Sequence, residues 1–322
     1  MIPAERISVE DWESALGPLG DPPKWAPDGY IDPEPPEGVL AEAELGSSQL
    51  ATDGWPHPPE QAAYHGLAGR VVAFADPFTE ADPVALLATF LTTFGCALNA
   101  GPHARVGAER HPARLFIALI GRSSTARKGS SWAPIRELFT LADPGFVAQR
   151  IVGGLGSGEA LIHAVRDGDG DAGVADKRAL VFAPEFASIL RVMGRQGSIL
   201  SVILREAWDS GRLHNTVKTN PATATGEHIA MLGHSTADEL ARDLTDTDAR
   251  SGFGNRSIYL AVRRSKLLPS PPPWDEVPVA NLAADVQGAL EEARRRTALT
   301  RDRKQRRGGV RCIPTSHATD MA

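Results

Sequence analysis

The chain has 322 residues, of which 42% are hydrophobic and 23% are charged, and its net charge is −6. This composition is ordinary for a globular protein with a sizeable core, and the negative balance argues against a uniformly basic nucleic-acid binder. No run of about 18 apolar residues indicates a membrane span, and the first residues, MIPAERISVEDWE, lack the pattern of a secretory signal. We therefore expect a cytoplasmic protein with no membrane partner.

The first third of the chain divides into a linker and a helical segment. Residues 1–54 are acidic and proline-rich, which predicts an extended linker or tail. Residues 55–103 predict two helices, the second starting with Asp82 as N-cap and Pro83 at the first helical position. That second helix is apolar nearly all round, so we expect it, with Cys96, to be buried. Two cysteines provide neither a zinc framework nor a disulfide scaffold.

Residues 104–268 alternate between apolar runs and helical patterns. The runs LFIALI, ALVFAP, HIAMLGH and RSIYLAV are short enough for buried strands, and a shorter strand is expected before GLGSG. Buried strands that alternate with helices predict an α/β fold: a mostly parallel sheet with helices on both faces. Residues 269–322 predict a proline-rich linker, a helix and a basic tail without regular structure. The tail either contacts nucleic-acid phosphates or is simply solvated.

The stretch GRSSTARKGSSW, residues 121–132, follows the run LFIALI and precedes a helical pattern. A triphosphate requires converging backbone N–H groups, a lysine that reaches the β- and γ-phosphates, and a hydroxyl on Mg²⁺. The strand–loop–helix context provides these, with Lys128 as the candidate lysine and Ser130 or Ser131 as the metal-binding hydroxyl.

The same stretch departs from the usual phosphate-loop pattern. Six residues separate Gly121 from Lys128, one more than the pattern has. Arg127 stands where glycine is usual, and Gly129 stands where serine or threonine is usual. A serine-rich, solvated turn is therefore the alternative interpretation.

Two glutamates follow predicted strands. Glu185 comes after ALVFAP, where P-loop ATPases place an acidic residue that holds Mg²⁺ through water and polarises the attacking water. No aspartate precedes it. Glu159 lies in the first turn of the helix after a short strand, a place where RecA-like motors carry a catalytic glutamate. Both also fit ordinary acidic residues that favour a helix N-terminus.

Arg256 and His234 flank other predicted strands. Arg256 enters a strand after a glycine-rich turn, where such motors carry an arginine for the γ-phosphate; the alternative is an arginine paired with a carboxylate. His234 ends its strand and is a candidate polar sensor near the γ-phosphate, or a histidine bonded to backbone. His228 and His234 lie six positions apart on one strand, a span of about 20 Å that excludes one shared metal.

The sequence GHSTA around Ser235 is close to the nucleophile elbow of α/β-hydrolases. Ser235 would be the nucleophile, but Ala237 replaces the last glycine of that motif. Only His317 follows as a base, so a serine hydrolase is the less favoured alternative.

Taken in order, the segments LFIALIGRSSTARKGSSW, LGSGEALI, LVFAPEFASILRVM, HIAMLGHSTADEL and GFGNRSIYLAVRR resemble a family of uncharacterised P-loop, RecA-like ATPase domains from phages, plasmids and other mobile elements. The resemblance covers residues 55–290 approximately, and these domains often follow a primase/polymerase module. In the most similar members, R-K-G-[ST]-S replaces the usual loop and P-E-F ends the acidic strand.

The resemblance implies binding of ATP and Mg²⁺ by Gly121, Arg127, Lys128, Gly129 and the two following serines. It also implies Glu185 as the acidic strand-end residue and Arg256 as the late arginine, acting across subunits of a homo-oligomeric ring. Single-stranded DNA and a primase/polymerase module become candidate partners in DNA replication.

Two parts of the family pattern are missing from this sequence. No primase module precedes residue 55, and the resemblance stops after about Arg296. The missing aspartate before Glu185 leaves a second interpretation open, a nucleotide-binding interaction module that hydrolyses nothing.

Overall fold

The computed structural model describes residues 56, 58–106, 108–122, 126–215, 221–245, 248, 252–274 and 276–308. The strands are β1 His103–Val106, β2 Glu109–Pro112, β3 Phe116–Ile120, β4 Ile151–Val152, β5 Arg178–Ala183, β6 Arg212–Asn215, β7 Ala222–Thr225, β8 His228–Ser235 and β9 Ile258–Ala261. The helices are α1 Gly66–Ala75, α2 Pro83–Leu98, α3 Trp132–Ala142, α4 Pro144–Gln149, α5 Gly158–Ala164, α6 Phe186–Met193, α7 Leu200–Asp209, α8 Ala237–Asp243 and α9 Glu276–Gly308. The predicted linker at residues 1–54, Cys312 and His317 lie outside the described residues.

Five strands form one parallel sheet in the order β4-β5-β8-β3-β9. The central strand β8 is buried along its whole length, and β3 is buried from Phe116 to Leu119. A strand that is covered on both faces needs apolar side chains on both, which is why these strands are recognisable as continuous apolar runs. The predicted α/β fold with a parallel sheet and helices on both faces is confirmed.

The two faces of the sheet carry different helices. Helices α3 and α4, which connect β3 to β4, pack with α2 and α9 in one hydrophobic cluster. Helix α5 connects β4 to β5, α6 and α7 lie between β5 and β8, and all three pack in a second cluster. Helix α8, which follows β8, packs against this cluster through Leu240. The chain therefore leaves β3 toward one face and leaves the adjacent strand β8 toward the other.

Helix α2 begins and packs as the sequence predicts. The Asp82 Oδ1 atom accepts a hydrogen bond from the Val84 N–H at 3.0 Å, and Pro83 is the first helical residue. Cys96 is fully buried. Because α2 packs on β3, β5 and β8 in the first cluster, the predicted N-terminal helical segment and the sheet share one core.

Two features differ from the sequence-based prediction. Strands β1–β2 and β6–β7 form antiparallel hairpins, and the first of these is mostly exposed, so no apolar periodicity marks it. The expectation of a structureless tail after about Arg296 is wrong as far as Gly308, where α9 ends. Glu292 pairs with Arg296 four residues later, and such pairs stabilise a helix that has little apolar character.

Across the described ranges, no helix has both the length and the apolar character that a bilayer crossing requires.

Candidate nucleotide-binding site

The carboxyl ends of β3 and β8 form the centre of the candidate site. The Gly121 N–H, just after β3, donates to the carbonyl of Ser235 at the end of β8 with an N···O distance of 3.1 Å. The connections from these adjacent strands go to opposite faces of the sheet, the arrangement that leaves a crevice at the carboxyl ends of an open parallel sheet. In open parallel sheets, ligands bind in such a crevice.

Gly121 allows the chain to leave β3 at a point where neighbouring atoms leave no room for a side chain. A Cβ atom at this position would lie 2.4 Å from the carbonyl oxygen of Val262 and 2.7 Å from the Cβ of Ala126. Glycine is therefore required here by the approach of two backbone segments, which is a steric reason for the first glycine of the predicted loop.

Arg127 adopts a left-handed conformation, with φ of 49° and ψ of 31°. This region favours glycine, and Arg127 is the residue that stands where the usual loop has glycine. Its Nε donates to Glu80 Oε2 at 2.6 Å, and the same carboxylate accepts the Leu268 N–H at 2.9 Å. The ion pair between Arg127 and Glu80 offsets part of the strain of this conformation. An arginine can therefore occupy a backbone conformation that glycine usually adopts.

Lys128 starts a short 3₁₀ turn, Lys128–Ser131, that runs directly into α3. Its ammonium donates to the carbonyls of Gly121 at 2.6 Å and Arg122 at 3.2 Å. Burial lowers the pKa of Lys128, and the Glu239 carboxylate opposes that shift. The turn thus lies at the N-terminal end of α3, beside the end of β3, and a helix N-terminus is a place where an anion is stabilised.

The two candidate metal hydroxyls point in different directions. The Ser131 side chain is buried, donates to the Lys128 carbonyl at 2.8 Å and lies 3.2 Å from the Thr89 hydroxyl of α2. Ser130 is half-buried and lines an open cavity. Ser130 is therefore the serine that a ligand can reach, and Gly129 beside it is exposed with no atom within 4 Å of an added Cβ.

His234 lies at the end of β8, beside the crevice. It is 3% exposed, and its Nε2 atom has no hydrogen-bond partner in the described part of the chain. Burial lowers the pKa of His234 to about 4, and the Lys128 ammonium contributes to the same shift. The imidazole is thus neutral at pH 7 and keeps a polar atom unused next to the candidate phosphate position.

The neighbouring Ser235 does not have the surroundings of a hydrolase nucleophile. Its hydroxyl is 2% exposed and donates to Glu239 Oε2 at 3.2 Å. Glu239 also completes the capping box of α8 by accepting the Thr236 N–H at 3.1 Å. A carboxylate bound in this way does not act as the histidine base that a serine nucleophile needs.

Both candidate glutamates lie at the same edge of the sheet as Lys128. Glu185 follows β5, two strands from β3, and is exposed. Glu159 is in the first turn of α5 after β4, three strands from β3, and the Ser157 side chain caps that helix. At a strand spacing of about 4.8 Å, Glu185 is about 10 Å and Glu159 about 14 Å from β3 across the sheet. Glu185 is the better placed of the two.

Arg256 lies at the opposite, amino edge of the sheet. It precedes β9 and forms an ion pair with Asp209, with an Nη2–Oδ2 distance of 2.6 Å. The register pairs Ile258 with Ile117, so Arg256 lies about six strand residues, or about 20 Å, from the level of Gly121. The structure does not bring Arg256 to Lys128 within one chain, and a role across a subunit boundary stays a prediction.

The amino edge also carries a buried polar cluster of Arg114, Glu227 and His228. Arg114 donates to the carbonyls of Trp208 at 2.7 Å and Glu227 at 3.2 Å, and it also bonds the carbonyl of Ala207. Glu227 is fully buried, and neither carboxylate oxygen has a hydrogen-bond partner among the described residues. Burial raises the pKa of Glu227 to about 8, and Arg114 opposes the shift.

A cavity of about 600 Å³ lies beside the loop, lined in part by Arg127 and Ser130. Its apolar wall includes Phe78, Leu268 and Trp274, and Glu80 also lines it. Sequence reasoning missed Glu80 and Trp274 because each lies in a connection between elements, where an acidic or aromatic residue has no periodic pattern to stand out from.

Neither a comparison with models of known protein families nor a search of curated protein sequences returns a match to this chain. Within the described ranges, no three His, Cys, Asp or Glu side chains come together as a metal site. The functional argument therefore rests on the residues and the geometry of the loop and crevice.

Proposed function

We propose that the chain binds ATP with Mg²⁺ in the crevice between β3 and β8 and hydrolyses it. The observation that carries this proposal is the Lys128 turn. It brings an ammonium and a helix N-terminus to the carboxyl ends of β3 and β8, the two adjacent strands whose connections go to opposite faces of the sheet. Gly121 and the left-handed Arg127 support this proposal, because each position has a conformation or a close approach that favours glycine.

The oxygen donors at this edge fit Mg²⁺. Ser130 offers a reachable hydroxyl and Glu185 an exposed carboxylate, and Mg²⁺ is typically bound by few protein oxygens together with waters and phosphates. When bound, the ion would neutralise charge that develops on the phosphates. Glu185 would orient the attacking water, with Glu159 as the more distant candidate, and neutral His234 would contact the γ-phosphate.

The strand order supports an ATPase of the RecA-like P-loop class. Strand β8 lies between β3, which precedes the loop, and β5, which precedes Glu185. One strand therefore separates the acidic residue from the loop. On this proposal the chain is a cytoplasmic, helicase-type motor or its relic from a mobile element, working with single-stranded DNA and a primase/polymerase module. Arg256 at the far edge would then serve a neighbouring subunit of a ring.

A second candidate function is nucleotide binding without hydrolysis. The observation that favours it is the exposure of Glu185, which has Pro184 rather than an aspartate before it. A single solvated carboxylate fixes a water less firmly than a pair does.

ATP turnover with and without single-stranded DNA separates the two functions. We expect Glu185→Gln to abolish turnover while ATP binding persists, and Glu159→Gln, the matched carboxylate one strand farther away, to retain most of the turnover. No turnover by the wild type above that of a sample without protein, with ATP clearly bound, would select the binding module.

A further inference from the structure

The cavity beside the loop has an aromatic wall suited to a flat ring. The Trp274 ring lies 4.9 Å from the Phe78 ring and 5.2 Å from the Phe74 ring, measured between centroids, in edge-to-face arrangements. Leu268 adds aliphatic surface. At about 600 Å³ the cavity is within the size range of about 300–1,000 Å³ that small-molecule sites occupy, and it is larger than a phosphate group needs.

The charges around the cavity argue against phosphate inside it. Glu80 and Glu137 both line it. The Leu268 N–H and the Arg127 guanidinium hold the pKa of Glu80 below its ordinary value, so this carboxylate is ionised at pH 7. Carboxylates repel phosphates but accept hydrogen bonds from N–H groups. The cavity therefore suits an uncharged ring that carries amino groups.

The cavity adjoins the turn that carries Lys128. Arg127 and Ser130 line it, and Lys128 lies between them in the chain. We propose that this cavity binds the base of the nucleotide, with Trp274, Phe78 and Leu268 contacting the ring and Glu80 accepting a hydrogen bond from its amino group. This inference rests on the proposed function and adds to it a site for an amino-bearing heteroaromatic base.

Calorimetric titration with three probes tests the assignment: MgATP, magnesium tripolyphosphate and adenosine. Leu268→Ala is compared with Leu267→Ala, an adjacent leucine that is 71% exposed and outside the cavity lining. Trp274→Ala is compared with Trp274→Phe, which keeps a ring, and circular dichroism verifies that each variant is folded.

We expect Trp274→Ala to weaken MgATP binding about tenfold, the magnitude of one base–aromatic contact, and Leu268→Ala to weaken it by a smaller factor through the loss of apolar contact. Tripolyphosphate binding should not change in these variants, Leu267→Ala should match the wild type, and Trp274→Phe should recover most of the affinity. UTP, which lacks an exocyclic amino group, should bind more weakly than ATP.

The outcomes separate this inference from the proposed function. If the cavity variants leave MgATP affinity unchanged, or weaken MgATP and tripolyphosphate equally, the base site is wrong while triphosphate binding stands. If adenosine binds in a Trp274-dependent manner and tripolyphosphate does not bind at all, the phosphate loop is wrong while the base site stands. A wild-type protein that binds none of the probes would overturn both.

Discussion

The charged groups at the two edges of the parallel sheet differ in their exposure. At the amino edge, Arg114, Glu227 and His228 are buried, and the arginine is occupied by backbone carbonyls. At the carboxyl edge, Lys128 and Ser130 are only partly buried and border an open cavity. Buried charge alone therefore does not indicate a site in this protein; access to the polar groups distinguishes the carboxyl edge.

The largest effect is expected from Arg114→Ala at the amino edge. The substitution leaves the carbonyls of Ala207, Trp208 and Glu227 without their donor inside the protein. Breaking such a buried charged network costs about 3–5 kcal/mol, so urea denaturation should show a loss of that order. Arg105→Ala, an exposed arginine on β1, is the control and should change the free energy of unfolding little. Equal effects of the two substitutions would show that the amino edge is not structural.

Gly121 and Gly129 offer a matched pair at the carboxyl edge. Gly121→Ala forces a methyl group to within 2.4 Å of the Val262 carbonyl oxygen, and such overpacking costs about 1–3 kcal/mol. Gly129→Ala meets no atom within 4 Å, so the stability should be unchanged or slightly higher. Thermal unfolding of both variants measures the contrast, and a Gly121→Ala protein as stable as Gly129→Ala would contradict the close approach.

The titration of buried Glu227 should make the free energy of unfolding depend on pH. Its pKa is raised to about 8 in the fold, so the stabilisation from its neutral form is fully present below its unfolded pKa and is lost as the pH rises toward 8. Buried His228, with its pKa lowered to about 4, and His234 produce the opposite slope, but only below about pH 6.5. Between about pH 6.5 and 8 the free energy of unfolding should therefore fall by about 1.4 kcal/mol per pH unit.

Urea denaturation at several pH values provides the measurement for Glu227. Glu227→Gln keeps the shape of the side chain without the titration, so its stability should be flat over the same interval. A wild-type protein whose stability does not fall above pH 6.5 would show that Glu227 is ionised in the fold.

The smallest effect concerns the ion pair that holds the loop. Glu80→Gln should weaken MgATP binding only slightly, because a partly exposed ion pair contributes little. In an Arg127→Gly background, glycine adopts the left-handed conformation without help, so Glu80→Gln should have no further effect on the hydrogen exchange of the loop peptide. Hydrogen exchange of the loop peptide measures the same coupling without ligand. Additive effects of the two substitutions would show that Glu80 does not hold the loop through Arg127.

Much of the fold could be predicted because its strands are buried on both faces. The runs that became β3, β5 and β8 are continuous and apolar, and Asp82 with Pro83 marks the start of α2. The exposed hairpin β1–β2 escaped prediction because its pairing is a backbone property that leaves no apolar pattern. The helical path to Gly308 escaped because charged residues stabilise it.

The candidate site could be predicted only in part. Sequence proposes Lys128 as a candidate, since lysine after a buried strand and before a helix is a local pattern, and the structure confirms that strand and helix. It could not distinguish Ser130 from Ser131, because the difference is a contact with Thr89 on a distant helix. It could not separate Arg256 from the crevice either, because the edge on which a residue lies depends on the register of the sheet. The cavity wall at Trp274 and the Glu80 partner of Arg127 likewise depend on tertiary contacts.

The most direct test of the central claim, that Lys128 binds the phosphates of ATP, compares two lysines that both donate hydrogen bonds to backbone carbonyls. Lys128 does so at the carboxyl edge, and Lys177 does so at the amino edge, where it donates to the carbonyls of Val165 at 2.9 Å and Arg166 at 2.8 Å. MgATP affinity is measured by calorimetry for Lys128→Ala and Lys177→Ala, with thermal unfolding of each. The account predicts that Lys128→Ala loses about a hundredfold or more in affinity, the magnitude of charged hydrogen bonds to phosphate, while Lys177→Ala binds as the wild type does. Unchanged MgATP affinity in a folded Lys128→Ala protein would contradict it.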